Sequence, residues 1–344
     1  MSSPSNATNG PMDDRTSATP ETEIASLLEQ GRTADALEAL EQLSTAASAD
    51  RQACLRSLKA TADDRPTLFE DVLAPLTEFL EDSERPTRLT TAKLFVAVSE
   101  GAPGIVVPVI PRLAERLADE SEFYYVRARC AEALGYIAVD HPEAVASPEI
   151  IADLRVGLEF DEPEVTEKLA KALSHVALGD PDRLRHQVAS LADHLRGDNE
   201  LVRYHLSTAI VVIGCARPER LMDVKETLLD SLDDENRYVR GRAAEALGLL
   251  AGADAETSVP VDRLEALATD EEFVADRVQF ALSQCRSDTP DDSADIATID
   301  AIRTQTSAIA AEIRTPDADG ECPQCGLSVP ESGPPFCPSC GTPL

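Results

Sequence analysis

Six segments of the chain align on one apolar pattern, and their spacing constrains the fold more than any other feature. Thr87, Val126, Val165, Val202, Val239 and Val274 follow one another at steps of 39, 39, 37, 37 and 35 residues. Seven residues after these anchors stand Leu94, Ala133, Ala172, Ala209, Ala246 and Ala281. Eight after stand Phe95, Leu134, Leu173, Ile210, Leu247 and Leu282, and eleven after stand Val98, Ile137, Val176, Ile213, Leu250 and Cys285. Offsets of 4, 7, 8 and 11 share one face of an α-helix. Leu80, Leu158, Leu195, Leu232 and Leu267, seven residues before most anchors, end a preceding amphipathic helix. Each unit therefore reads as helix, short turn, helix. A pair of helices cannot cover its own apolar face, so a period of about 37 residues predicts neighbours that stack.

The phrases YYVRARCAEALGYIA and RYVRGRAAEALGLLA resemble HEAT repeats, in particular the HEAT-like type first noticed in bilin lyases. The turn Asp and the Arg after the anchor match that pattern in the pairs Asp82 with Arg88, Asp119 with Arg127, Asp198 with Arg203, and Asp233 with Arg240. The unit at Val165 departs from it, with Thr166 where Arg is expected. The resemblance covers residues 66–286 and implies an all-α fold, an α-α superhelix (HEAT-like solenoid). Tetratricopeptide repeats run at a shorter period and remain a second reading for residues 22–45.

Around the repeats the sequence predicts a disordered tail over 1–21 and N-terminal helices capping the solenoid over 22–65. A linker is expected over 287–295, a helix over 296–314, a spacer over 315–320 and a separate module over 321–344. The 296–314 helix carries Ile299, Ile302, Thr306, Ile309 and Ile313 at alternating steps of three and four, a heptad seam. Too short to stand alone in water, this seam is expected either to cap the end of the solenoid or to form a homodimer.

The final module holds two CPxCG knuckles separated by 11 residues, with Cys322, Cys325, Cys337 and Cys340 as ligands. Four thiolates suit one tetrahedral Zn²⁺ and leave no open position, which predicts a structural rather than catalytic site. Iron in a rubredoxin-like site is the alternative. So small a segment has no sufficient core without metal, so metal binding would supply its folding energy. The module resembles the short zinc ribbons at the ends of many archaeal and bacterial proteins. It contains no Lys or Arg from Glu321 to Leu344, and a phosphate-binding surface needs cations.

The net charge of −32 also disfavours nucleic acid and anionic membranes. Only 5 of the 31 basic residues are Lys. Acidic excess with so little Lys reads as a cytoplasmic protein of a salt-loving organism; an ordinary acidic protein is the alternative. Cys54, Cys130, Cys215 and Cys285 are scattered singly through helices and read as buried free thiols.

Against this acidic background two basic columns recur. Arg88, Arg127, Arg203 and Arg240 follow the anchors by one and are expected to pair with turn acids of their own or the next repeat. Three residues after the anchors stand Arg129, Lys168, His205 and Arg242. The second helices of HEAT-like stacks line the concave face, so this column is expected to meet an acidic segment of a protein partner, with Tyr125, Tyr204 and Tyr238 as anchors. No P-loop, nucleophile elbow or His-Glu metal motif occurs. The His-Glu iron ligands of the HEAT-like deoxyhypusine hydroxylases are missing. The expected function is a non-catalytic protein-interaction scaffold. A lyase- or hydroxylase-related subunit and a nucleic-acid factor acting through the ribbon are the alternatives.

Overall fold

Proline placement decides which helix of each pair is continuous. The first helices contain or adjoin Pro75, Pro108, Pro111, Pro148, Pro181 and Pro218, and they break into short α and 3-10 turns. Among the second helices proline occurs only in the first turn, at Pro86 and Pro163, where its missing N–H costs nothing. The computed structural model describes residues 20–145, 147–253, 259–269, 271–286, 296–314, 320–321 and 328–329. The long helices are α1 (Pro20–Glu29), α2 (Thr33–Ser44), α3 (Ser48–Asp64), α4 (Arg85–Gly101), α5 (Tyr124–Asp140), α6 (Pro163–Gly179), α7 (Glu200–Ala216), α8 (Arg237–Ala253), α9 (Glu272–Arg286) and α10 (Ile299–Arg314). Helix α1 starts inside the segment read as a tail; the linker 287–295 lies outside the described residues.

Helices α3 to α9 stack side by side in sequence order. All six anchors are buried, as are the residues seven and eight positions after them. Where the helices come closest the sequence supplies glycine against alanine. A Cβ on Gly135 would stand 2.7 Å from Ala172 Cα, and one on Gly248 would stand 2.8 Å from Ala281 Cα. Both pairs occupy the same repeat positions.

Two members of the first basic column pair with an acid of the next repeat, and two meet backbone carbonyls of their own repeat. Arg88 forks onto Glu122 at 2.8 and 2.9 Å, and Arg203 onto Asp234 at 2.7 and 3.0 Å. Arg127 donates to the Leu117 carbonyl at 2.8 Å, and Arg240 to the carbonyls of Asp234 and Glu235. Arg51, 37 residues before Arg88, forks onto Asp82 in the same way and extends the column to α3.

Helix α10 neither caps the end of the stack nor presents its seam to a second copy. It lies on the row of long helices, antiparallel to α7. Near its start Ala297 meets Cys215 at the end of α7, with Sγ to carbonyl at 3.2 Å. At its end Arg314 reaches Glu167 near the start of α6 at 2.5 Å. Between them Arg303 pairs with Asp140 of α5, the Tyr238 hydroxyl of α8 donates to Glu312 at 2.5 Å, and Arg277 of α9 donates to Gln305 at 2.9 Å. Ile309, Ala310 and Ile313 pack with Leu201, Tyr204, Tyr238 and Val239, while Ile302 joins the main core. Five helices packed at about 10 Å span about 40 Å. One helix touches all of them only if the row is concave. The seam's apolar side is therefore satisfied within the chain, which corrects both expectations for it.

The described part of the terminal module is a two-residue antiparallel pair, β1 (Gly320–Glu321) with β2 (Ser328–Val329), in register Gly320↔Val329 and Glu321↔Ser328. Gly320, read as spacer, belongs to the pair. Cys322, Cys325, Cys337 and Cys340 lie outside the described residues.

Candidate functional site: a lysine-lined cavity on the inner face

Helix α10 divides the inner face. Over α7–α9 it covers the expected partner residues: His205, Tyr204 and Arg242 are fully buried, and Tyr238 nearly so. His205 Nδ1 lies 3.5 Å from Ser174 Oγ, and Arg242 donates to Glu245 at 2.7 Å. These four do not form an open surface. Over α3–α6, where α10 reaches only Asp140 at the end of α5 and Glu167 near the start of α6, the face stays open around a cavity of about 270 Å³.

Four helices deliver cations to that cavity. Lys59 comes from α3, Lys93 from α4, Arg129 from α5, and Lys168 and Lys171 from α6; Arg314, the last residue of α10, closes one side. Four of the chain's five lysines thus meet at one place. Arg129 and Lys168 were read from their column. Lys93 and Lys171 stand six residues after their anchors, in a column that also holds Glu132 and Glu245. Tyr125 is half-buried beside Glu164 in a smaller neighbouring recess that shares Arg129, Lys168 and Arg314.

Glu132 is the hub. It accepts from Arg129 at 2.7 Å and Lys171 at 3.0 Å, with Lys168 Nζ at 3.8 Å. Burial alone would raise its carboxyl; Lys171, Lys168 and Arg129 outweigh that and hold it well below the usual range. Glu167 is likewise buried, yet Lys168 and Arg314 bring it down to about 2. Burial lowers the Lys168 ammonium, with Glu132 and Glu167 opposing. Tyr136 receives a hydrogen bond from Lys171 at 2.7 Å and donates to Glu100 at 2.8 Å; burial pushes its phenol up to about 12. The two carboxylates stay ionised at neutral pH and fix the cations around them, offsetting part of the positive charge and leaving the cations in excess. Such an arrangement attracts anions.

Of the four cysteines read as buried thiols, two are buried and two, Cys215 and Cys285, are only half-buried. Cys54 and Cys130 are buried, and burial pushes the Cys130 thiol up to about 12. Among the described residues no helix is long and apolar enough to cross a membrane.

Residues 110–210 match the family described as HEAT repeats. Solved structures of repeat proteins resemble the chain in fold. An engineered protein from a structural genomics consortium is 21% identical with a TM-score of 0.56, covering 62% of this chain and 96% of that one. A second such engineered protein is 22% identical with a TM-score of 0.56, covering 63% and 99%. A designed armadillo repeat protein is 19% identical with a TM-score of 0.54, covering 62% and 99%. The search of curated proteins found no match. The fold is a helical-repeat solenoid.

Proposed function

We propose that the protein is a non-catalytic interaction scaffold that docks an acidic segment of a protein partner on the open α3–α6 stretch of its inner face. One observation carries the reading: in a chain of net charge −32, four of five lysines converge on a single cavity. A surface charge placed for solubility has no reason to gather there. Arg129, Lys168 and Tyr125 keep the partner-facing role expected of them, and Lys59, Lys93 and Lys171 join them. The acidic exterior keeps nucleic acid and anionic membranes away, while the cavity offers the opposite field locally.

Binding of a fluorescent oligoglutamate peptide, read by anisotropy, tests this. The peptide binds the whole chain and loses about tenfold or more in affinity in Lys93→Glu, with a matched oligolysine peptide showing no cavity-dependent binding. Equal affinity for Lys93→Glu and the unaltered chain would remove the cavity from the account.

The terminal module completes the scaffold as a structural zinc ribbon held by Cys322, Cys325, Cys337 and Cys340. The β1–β2 pairing supports it, because the paired ends bracket the segment that contains Cys322 and Cys325. Zinc bound there supplies folding energy to the module. Protein purified without chelator is expected to carry about one zinc per chain by elemental analysis, and Cys337→Ser to carry almost none. Iron in its place, or no metal, would contradict the reading.

A further inference from the structure

We infer that the α3–α6 cavity is a phosphoryl site, receiving the phosphate group of a phosphorylated side chain within the acidic segment; this rests on the docking reading above. Charge comes first. Six cationic groups line the cavity against three carboxylates, and Glu167 behind them leaves a surplus of two. A carboxylate side chain would neutralise half of that surplus. A phosphoryl group carries about −1.5 to −2 at neutral pH and matches it.

Donor geometry agrees. Lys59, Lys93, Lys171 and Arg314 arrive from α3, α4, α6 and α10, so the donors approach from several sides. A planar carboxylate is matched by one guanidinium fork in its own plane, as Arg88 and Arg203 match Glu122 and Asp234 elsewhere in this chain. A tetrahedral oxyanion is matched by point charges converging from several directions. Lysine is otherwise almost absent from the chain, so its placement here is selective. The volume, about 270 Å³, lies just below the range of about 300–1,000 Å³ typical of small-molecule pockets and suits one head group.

Arg314 gives the site a second consequence. It pairs with Glu167 at 2.5 Å and ends α10, so an oxyanion in the cavity also holds the end of α10 against the inner face.

The test uses the whole chain and three probes at one chloride concentration: an acidic peptide carrying a single phosphoserine, the same peptide with serine, and inorganic phosphate. The variant is Lys59→Gln/Lys93→Gln, two positions outside the buried core. The phosphopeptide binds at least tenfold tighter than the serine peptide, the variant erases that difference, and hydrogen exchange in α10 slows on binding but not in Arg314→Gln. Equal affinity of the two peptides, both weakened in the variant, would overturn the phosphoryl inference and leave the docking of an acidic segment standing. Binding of inorganic phosphate with no binding of either peptide would overturn both, because the cavity would then take a free ion. A phosphopeptide advantage that persists in the variant would place the phosphoryl group elsewhere and overturn the site.

Discussion

Glu245→Ala is expected to destabilise the protein by about 5 kcal/mol and to loosen α10 from the inner face. Glu245 and Arg242 are 1% and 0% exposed, the most deeply buried ion pair of the structure's described part. Glu245 Oε2 accepts from Arg242 at 2.7 Å and from Arg277 at 3.3 Å. Its Oε1 accepts the backbone N–H of Ala297 at 2.9 Å. One side chain therefore joins α8, α9 and the segment leading into α10. Burial alone would lower the Arg242 guanidinium; the Glu245 charge outweighs it and holds it above its ordinary value. Arg277, with less compensation, is brought down by burial to about 10. Removing the carboxylate leaves a fully buried guanidinium with its charge uncompensated, which is the costly way to break such a pair. Ala297 adds to the effect. Its φ of 60° is a left-handed conformation that alanine seldom adopts, and the Glu245 bond helps hold it there. Denaturant unfolding of Glu245→Ala checks the magnitude, and Glu245→Gln, which keeps an acceptor for Ala297, should fall between it and the unaltered chain. A loss under about 1.5 kcal/mol for the alanine variant, the scale of one ordinary hydrogen bond, would reject Glu245 as the joint between α8, α9 and the start of α10.

Acidification from pH 6.5 to 5 is expected to remove about 3 kcal/mol of stability through His175 and His205. Both are buried among the long helices. Burial brings His205 down to about 3, with Lys171, Lys168 and Arg314 adding to it and Glu167 opposing. His175 lies well below its ordinary value through burial first, then Lys171, His205 and Arg303, against Glu132; its ring also meets that of Tyr136 at 5.0 Å, tilted by 55°. With folded pKa values below the unfolded value of about 6.5, the unfolded chain binds more protons as the pH falls. The stabilisation is thus complete well above pH 6.5, begins to fall as the pH nears that value, and is lost below it at a slope that approaches about 1.4 kcal/mol per pH unit for each histidine. For His205 the loss continues to about pH 3. Glu167 and Glu132, both depressed, act with the same sign but only below the ordinary glutamate range, near pH 4.5. Relief of self-repulsion among the surface acids also waits for that range. The interval from 6.5 to 5 therefore isolates the histidines. Denaturant midpoints across it should fall steeply for the unaltered chain and stay nearly level for His175→Gln/His205→Gln. Parallel curves for the two proteins would exclude the histidines as the cause.

The stacked helices were legible because burial in a repeat is periodic. Val126, Val165 and Val239 occupy one position of one unit, and a residue buried in one is buried in all. The Arg column was legible for the same reason, although the partners differ in kind. Arg203 meets the side chain of a turn Asp, whereas Arg127 meets the Leu117 carbonyl and the ring of Phe160. The place of α10 was not legible. A seam of Ile302, Ile309 and Ile313 says that the helix needs an apolar partner and is silent on whether that partner is a solenoid end, a second copy or the inner face. Tyr204 and Tyr238, read as anchors for another protein, turned out to serve this chain's own helix. The cavity was half legible. Reading cations three residues after the anchors found Arg129 and Lys168. It missed that Glu132 and Glu245, one helical turn further on, would bind Arg129 and Arg242 inward. The same column of the alignment holds Lys93 and Lys171, and comparing it across repeats would have placed them beside Arg129.

The division of the inner face between α10 and the lysine cavity is tested most directly by hydrogen exchange on the whole chain, read over 299–314 with and without bound oligoglutamate peptide. Helix α10 is expected to exchange as slowly as the neighbouring α7 and to remain protected when the peptide is bound, because the two occupy different parts of the face. Exchange of α10 at the rate of a free peptide, or loss of its protection on peptide binding, would contradict this division of the face.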